Sequence, residues 1–281
     1  MPEGDTIHRT ARTLGRALVG AEVTHVATSV AQVRGLGVAR LVGQRVREVE
    51  ARGKHLLVWF APSGLALHSH MRMSGSWHLY RHGERWRKPA HLARFELHVA
   101  DWVAVCFAAP VVELLSAGQV ARHRTLAALG PDALADVPDL AEARRRLDER
   151  ADWTIGEALL DQRVLAGVGN VYKNEVLFIH GLDPWSRVGQ LDGATRDAVL
   201  ETAVRLMREN TGTVERGRGG GARPGRRVTT GDRSTRGAEL FVHGRGRRPC
   251  PRCTRPIAVA RQGEQGRLTY WCRSCQGPGI P

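Results

Sequence analysis

Lysine is scarce in this 281-residue chain, although the chain is strongly basic. Lys54, Lys88 and Lys173 are the only lysines among 42 lysine and arginine residues, and the formal net charge is +14. Such an excess of positive charge is typical of proteins that bind nucleic acid, and a basic surface without a specific partner is the alternative. Because an amine can lose its proton and a guanidinium group rarely does, each lysine is a candidate for chemistry.

The sequence also lacks long apolar segments. No run reaches the roughly 18 residues of a membrane span, so we expect no membrane partner. The first ten residues, MPEGDTIHRT, are polar and acidic, whereas a signal peptide has a basic and then an apolar stretch. We therefore predict a cytosolic protein. Its hydrophobic content of 42% is sufficient for packed cores.

Cysteine is rare outside the last 32 residues, where it forms two Cys-x2-Cys pairs separated by 18 residues. The four are Cys250, Cys253, Cys272 and Cys275. This spacing predicts one tetrahedral Zn²⁺ site, which is structural because four thiolates leave no open position; a redox dithiol is the alternative. We expect two strands between the pairs, joined by a turn near 263–266, and a ribbon too small to fold without metal. Cys106 lies in an apolar run and is predicted to be an inert core residue.

Hydrophobic periodicity changes along the chain. Residues 5–19 predict a helix with Asp5 as its N-cap. Residues 21–115 predict short strands of an antiparallel β-sandwich, among them 65–70 and 93–99. From 139 to 209 the period is helical. Thr154 and Glu157 form a capping box before ALLDQRVL, and Asn170 opens the next helix.

These patterns predict an α+β chain with several domains. They are an N-terminal β-sandwich with flanking helices at 1–128, a linker and first helix at 129–150, a helical domain at 151–237 with a flexible Gly/Arg-rich loop at 217–227, and a C-terminal zinc β-ribbon at 238–281.

Two features of the C-terminal half suit phosphate. The turn from Gly167 through Gly169 to Asn170 frees the N–H groups of the following helix, with Asn170 adding a side-chain donor; a close-packed elbow between two helices is the alternative. Arg267 lies just past the ribbon turn, where it could contact a phosphate with two hydrogen bonds, or remain a solvated surface charge.

Five stretches in order along nearly the whole chain match one family. They are Pro2-Glu3-Gly4-Asp5, Arg52-Gly53-Lys54-His55-Leu56-Leu57, His70-Met71-Arg72-Met73-Ser74-Gly75, the Gly167–Asn170 turn followed by Glu175, and the four-cysteine ribbon. With them the chain resembles the bacterial formamidopyrimidine-DNA glycosylase and endonuclease VIII family of base-excision repair enzymes. The resemblance implies a β-sandwich, a helix–two-turn–helix domain and a zinc ribbon, which bind damaged DNA with the target base flipped out.

The resemblance also implies catalytic roles. Pro2, freed of Met1, would attack the sugar C1′, expel the base and form an iminium ion that permits β- and then δ-elimination. Glu3 would transfer protons, and Lys54 and Arg267 would act at the sugar and its phosphate. Without the resemblance, Pro2-Glu3 is a plain helix start and Lys54 a surface lysine.

Further residues would contact the DNA. Asn170, with Gly169, would hold the phosphates beside the lesion together with Lys54 and Arg267. Met73, next to Arg72, would fill the space left by the flipped base, although a core methionine is the alternative. We expect a monomer that acts at the nucleoid in the cytoplasm.

Departures from the 8-oxoguanine branch place the chain near endonuclease VIII. It begins Pro-Glu-Gly-Asp-Thr instead of Pro-Glu-Leu-Pro-Glu, it has no Arg-x-Phe pair at 109–112, and 212–237 contains no recognisable lesion-capping loop. This implies oxidised pyrimidines as substrates and leaves open a preference for single-stranded or bubble DNA. The alternatives are a glycosylase for oxidised purines and a non-catalytic protein that binds damaged DNA.

Overall fold

The computed structural model describes residues 2–212, 227–230 and 239–279. Met1 and nearly all of the predicted loop at 217–227 lie outside these ranges, as does most of 212–237. The chain divides into two compact units, 1–128 and 129–281; the finer predicted boundaries at 150 and 237 remain predictions. No helix in the described ranges is long and apolar enough to cross a membrane.

Two four-stranded antiparallel sheets form the first unit, in the orders β1-β6-β7-β5 and β2-β3-β4-β8. The elements are α1 Gly4–Leu18, β1 Val23–Thr28, α2 Ala31–Gly35, β2 Arg45–Arg52, β3 His55–Ala61, β4 Leu65–His70, β5 Ser76–Tyr80, β6 Ala93–Val99, β7 Val103–Phe107, β8 Val111–Ser116, α3 Ala117–Arg122 and α4 Arg124–Ala127, with short 3-10 turns at Val38–Leu41 and Ala90–Leu92. The predicted antiparallel β-sandwich is confirmed.

Residues from both sheets meet in one apolar core. Leu56, Val58 and Phe60 come from alternate positions of β3, and Phe95 and Leu97 from alternate positions of β6; all five are fully buried. This is the pattern expected when each strand turns one face inward. Helix α1 packs against β2, and its own apolar face joins the same core. Cys106 is also buried there.

The predicted N-cap of α1 is wrong by two residues. The cap is Glu3, whose backbone is extended, with φ −123° and ψ −178°, and whose carbonyl oxygen accepts bonds from Thr6 N at 2.9 Å and Ile7 N at 3.1 Å. Asp5 lies inside the first turn instead, where a carboxylate is favoured by the helix dipole. It is fully buried and lies 3.5 Å from the guanidinium of Arg9.

Within its described residues, the second unit is mainly helical and carries one antiparallel hairpin. Its elements are α5 Leu140–Asp148, α6 Ile155–Ala158, α7 Asn170–Ile179, a 3-10 turn at Val188–Gln190, α8 Gly193–Thr211, β9 Ala258–Gln262, β10 Arg267–Trp271 and α9 Arg273–Gln276. The two predicted ribbon strands and their turn are therefore present.

The predicted helix over ALLDQRVL is wrong, because α6 is a single turn. Thr154 caps α6 as expected and accepts a bond from Glu157 N. The helix ends at Ala158, and three residues further on the Oδ1 atom of Asp161 accepts a bond from Arg163 N at 3.0 Å. A short acidic side chain that bonds its own neighbouring backbone competes with helix continuation.

Candidate catalytic and nucleic-acid-binding site

Pro2 lies just before Glu3, the N-cap of α1. These two residues are the predicted catalytic pair of the first unit. The Pro2 side chain is partly exposed, whereas Glu3 is fully buried. Since Glu3 caps α1 through its backbone, the helix fixes where Pro2 stands. Once Met1 is removed, Pro2 has a secondary amine next to a buried carboxyl group, a pair suited to nucleophilic attack with local proton transfer.

Lys54 lies in the two-residue turn of the hairpin formed by β2 and β3. Arg52 pairs with His55, so only Gly53 and Lys54 form the turn. Gly53 has a φ of 57°, which a two-residue hairpin turn requires and glycine adopts without strain. The Lys54 side chain is partly exposed. Burial first, and then the positive charge of Lys54, lower the pKa of the nearby His70 to about 4.

Met73 stands at the tip of the turn between β4 and β5, with 62% of its surface exposed. It is therefore no core methionine; that position belongs to Met71, which is 2% exposed. Gly75 N donates to Met71 O at 2.8 Å, and a Cβ at Gly75 would lie 2.7 Å from the Met71 backbone, so the turn requires glycine. Arg72 is exposed and has a φ of 44°.

Strands β7 and β8 are joined by only three residues, 108–110. Ala109 is buried, and Val111 already belongs to β8. The connection therefore presents small side chains and a proline, and no long cationic or aromatic side chain.

Asn170 begins α7 and lies against the ribbon. Gly167, with a φ of 102°, makes the preceding turn, and Gly169 is the N-cap. The Asn170 Nδ2 donates to the carbonyl oxygen of Leu268 at 2.7 Å. Arg267 begins β10 next to Leu268, and its Nε and Nη2 lie 3.3 and 3.2 Å from Gln265 Oε1. The structure thus brings the two predicted phosphate ligands onto adjoining elements.

Lys173 has a role that sequence reasoning missed. It is fully buried, and its Nζ donates to Thr269 Oγ1 at 2.6 Å. One residue further, Asn174 Oδ1 accepts a bond from Tyr270 N at 3.3 Å. With Asn170, these residues follow the i, i+3, i+4 spacing of one helix face, a signal available in the sequence. That face attaches α7 to β10.

Glu175 anchors the segment that precedes the cysteine module. Its Oε1 accepts bonds from Val242 N at 2.9 Å and His243 N at 2.8 Å, and its Oε2 accepts from Phe241 N at 2.7 Å and from Thr229 Oγ1. Four donors around one fully buried carboxylate hold this segment on α7. The sequence identified Glu175 only as part of a motif.

The four cysteines converge at the base of the ribbon, with all Sγ atoms within 4.8 Å of one another. Sγ distances are 3.9 Å for Cys250 and Cys275 and 3.3 Å for Cys253 and Cys272. Zn–S bonds of about 2.3 Å in a tetrahedron place sulfurs about 3.8 Å apart, so the cluster has suitable dimensions for a metal ion. Arg252 N also points to Cys250 Sγ at 3.4 Å.

The fold and this arrangement of residues agree with known families. A model of the formamidopyrimidine-DNA glycosylase N-terminal domain matches residues 1–110, and a model of the formamidopyrimidine-DNA glycosylase H2TH domain matches residues 129–221. The chain belongs to the formamidopyrimidine-DNA glycosylase and endonuclease VIII family, as the sequence predicted.

Two curated relatives are named as an endonuclease 8 and as a Nei2 lyase. The chain is 44% identical to the probable endonuclease 8 2 of Streptomyces coelicolor, over 100% of this chain and 96% of that protein. It is 37% identical to the DNA-(apurinic or apyrimidinic site) lyase Nei2 of Mycolicibacterium smegmatis, over 98% and 99%. A crystal structure of Lactococcus lactis Fpg (MutM), in complex with DNA containing N7-benzyl-Fapy-dG, shares the fold with a TM-score of 0.79 at 23% identity, over 98% of this chain and 99% of that one.

Proposed function

We propose that the protein is a bifunctional DNA glycosylase and apurinic/apyrimidinic lyase of base-excision repair. The observation that carries this proposal is the position of Pro2 just before α1, beside the buried Glu3, in a chain of this family; removal of Met1 turns the Pro2 nitrogen into a secondary amine. Names of the relatives, endonuclease 8 and DNA-(apurinic or apyrimidinic site) lyase, support the same activity.

Each candidate residue has a chemical task in this mechanism. The Pro2 amine attacks the sugar C1′ and the base leaves, which produces an iminium ion at C1′. This cation withdraws electrons from the adjacent C2′, so that the C2′ proton becomes acidic. Loss of that proton forms a C=C bond and expels the 3′ phosphate. Glu3 transfers protons at the sugar, and Lys54 assists elimination. Removal of Met1 is required, because an acylated proline nitrogen has no lone pair to donate.

DNA would be held by both units. Asn170, Gly169 and Arg267 bind phosphates near the lesion, in keeping with the positive charge of the chain and the bond that joins Asn170 to β10. Met73 fills the vacated stack beside Arg72, which its exposure supports. A monomer acting at the cytoplasmic nucleoid remains our prediction.

The four cysteines would hold one structural Zn²⁺ ion. Their number, compact spacing and position support this assignment. The bound ion would supply a cross-link between the two halves of the ribbon, and no catalytic step depends on it.

Oxidised pyrimidines are the proposed substrates. The short, small-residue connection at 108–110 supports the absence of two side chains that would occupy the space beside the orphaned base. Excision rates on thymine glycol and 8-oxoguanine duplexes test this assignment, and faster excision of 8-oxoguanine would favour the purine alternative. The same connection motivates a preference for bubble DNA, against which equal cleavage of matched duplex and bubble would count.

Borohydride trapping tests the activity itself. Wild-type protein without Met1 should form a reduced covalent adduct with abasic-site DNA, and Pro2→Ala or a form that retains Met1 should form none. If correctly processed wild-type protein binds the DNA and yields no adduct, the non-catalytic alternative is favoured.

A further inference from the structure

A row of three polar side chains crosses the sheet β2-β3-β4-β8. None of the three has a role in the mechanism proposed above. His55 lies on β3, His68 on β4 and Glu113 on β8. His68 pairs with Leu57 on one side and with Glu113 on the other, and His55 is two residues from Leu57. Because side chains alternate along a strand, all three polar groups lie on the same face, opposite the apolar core.

The three groups form a continuous hydrogen-bonded chain. His55 Nδ1 lies 2.9 Å from His68 Nε2, and His68 Nδ1 lies 2.8 Å from Glu113 Oε2. A carboxylate only accepts, so His68 Nδ1 carries the proton and, in a neutral ring, Nε2 is an acceptor. His55 Nδ1 must then be the donor, which leaves His55 Nε2 with a lone pair.

Burial keeps both rings neutral, as this order of donors requires. His55 is 5% exposed and His68 is 1% exposed. Burial, followed by the neighbouring His70, His68, His123 and Lys54, lowers the pKa of His55 to about 2. Burial also lowers the pKa of His68, with Glu113 opposing and His123 and Arg52 adding to the effect.

The hydrogen-bonded row begins next to the β2–β3 turn that contains Lys54, and it ends at solvent. His55 directly follows Lys54 in the β2–β3 turn, and the two side chains are near enough that the charge of Lys54 contributes to the lowered pKa of His55. At the other end the Glu113 side chain is 41% exposed, and His123 Nε2 lies 3.3 Å from the same carboxylate oxygen. A proton that enters at His55 could therefore leave at Glu113.

We infer that Glu113, His68 and His55 form a proton relay from the Lys54 turn to solvent, which acts during elimination and therefore rests on the proposed function. The neutral amine of Lys54 takes the C2′ proton while the C–H electron pair forms the C=C bond and the 3′ phosphate leaves. Lys54 then passes a proton to His55 Nε2, the Nδ1 proton of His55 moves to His68 Nε2, and the Nδ1 proton of His68 moves to Glu113. Both imidazoles end neutral, and the protonated Glu113 releases its proton to water.

These three residues act through Lys54 and are positioning residues, and Glu113→Gln separates the relay from a merely structural role. The amide still accepts a hydrogen bond from His68 but cannot take up a proton. With abasic-site DNA under single-turnover conditions, the variant should form the trapped adduct at the wild-type rate and eliminate at least about tenfold more slowly. Glu113→Asp, which keeps a carboxylate, should recover part of the elimination rate.

A matched control is available on the other sheet. Glu96 Oε2 lies 3.3 Å from His98 Nε2, so Glu96→Gln disrupts a histidine–carboxylate pair outside the relay. This variant should eliminate at the wild-type rate. If Glu113→Gln does not fold, His68→Gln replaces it, because its amide can bond to Glu113 but cannot pass a proton along.

Two results would overturn the relay. One is normal elimination by a folded Glu113→Gln variant that traps normally. The other is a second zinc equivalent per chain that is lost in Glu113→Gln and His123→Ala, since an ion on His68 Nδ1 would replace the proton to be transferred. Failure of the wild-type protein to form any adduct would instead contradict the proposed function.

Discussion

The Asn170 side chain donates to the backbone of Leu268 across 98 positions of sequence, at 2.7 Å. It therefore connects the first turn of α7 with the strand that Arg267 begins. A single amide thus orients two elements that we propose to bind the same stretch of DNA backbone.

Asn170→Asp tests this connection with a side chain of almost the same shape. A carboxylate cannot donate to Leu268 O, and it would repel a phosphate. We expect DNA affinity to fall at least about tenfold and the free energy of unfolding to fall by about 1 kcal/mol, as measured by fluorescence anisotropy and urea unfolding. Asn170→Ala should unfold equally easily but bind DNA better than the aspartate variant. Wild-type affinity in Asn170→Asp would remove the residue from the DNA contact.

Glu175→Gln should destabilise the second unit strongly. The substitution turns one acceptor oxygen into a donor that faces backbone N–H groups of 241–243. A loss of about 3 kcal/mol in the free energy of unfolding is expected, because buried hydrogen bonds to a charged group are involved. Glu201→Gln, an exposed change on α8, is the control and should be neutral. Equal stability of the two variants would contradict the anchoring role.

His243 makes folding sensitive to acid. Burial lowers its pKa to about 4, and its Nδ1 lies 2.9 Å from Asn174 Nδ2, which donates to the neutral ring. The unfolded state binds a proton near pH 6.5 and the folded state does not, so the stability from this group is lost as pH falls from about 6.5 to 4. Below pH 4 the loss from this group levels off.

The His243→Gln variant isolates that effect. Glutamine keeps an acceptor for Asn174 without titrating. Comparing urea unfolding at pH 7 and pH 5, wild type should lose more stability than the variant, by less than about 2 kcal/mol because the ring is partly exposed. The same pH response in both proteins would exclude His243 as the cause.

Removal of the metal should unfold the zinc ribbon and thereby abolish DNA binding. Treatment with a strong chelator, or Cys253→Ser, should release one zinc equivalent and abolish DNA binding, because the two strands bury little apolar surface of their own. Metal content by mass spectrometry and binding by gel shift provide the measurements. DNA cleavage that persists in metal-free protein would contradict the structural role of the ion.

Arg267→Ala should weaken DNA binding and reduce its dependence on salt. The slope of log Kobs against log salt is negative, and loss of one phosphate contact reduces its magnitude by about 0.9. Arg255→Ala, at another exposed arginine of the module, is the control. Identical slopes for wild type and Arg267→Ala would remove that contact.

The sequence predicted the strands of the sandwich well where burial alternates. Strand 93–99 has the predicted bounds, because its apolar residues follow the period of two; strand 65–70 also has the predicted bounds, although nearly all of its residues are buried. Cysteine spacing likewise predicted a convergence that the structure contains. The helix start at Asp5 and the helix over 158–165 were wrong, since backbone capping by Glu3 and the side chain of Asp161 decided those positions.

Contacts between distant residues were beyond sequence reasoning. The bond from Lys173 to Thr269 and the four donors around Glu175 depend on how α7 meets segments more than 50 positions away. The histidines at 55 and 68 have an ordinary strand pattern, and only strand register places them beside Glu113. Periodicity gives the face of an element but not its partner.

The two-residue turn at Gly53 and Lys54 limits how this gene can change. Arg52 and His55 pair directly, so a one-residue insertion or deletion in β3 would reverse the faces of every later side chain in that strand. A residue inserted directly after His55, for example, would turn Leu56 away from the apolar core. Point substitutions can therefore vary this hairpin, whereas length variation is expected to be confined to the loops away from it.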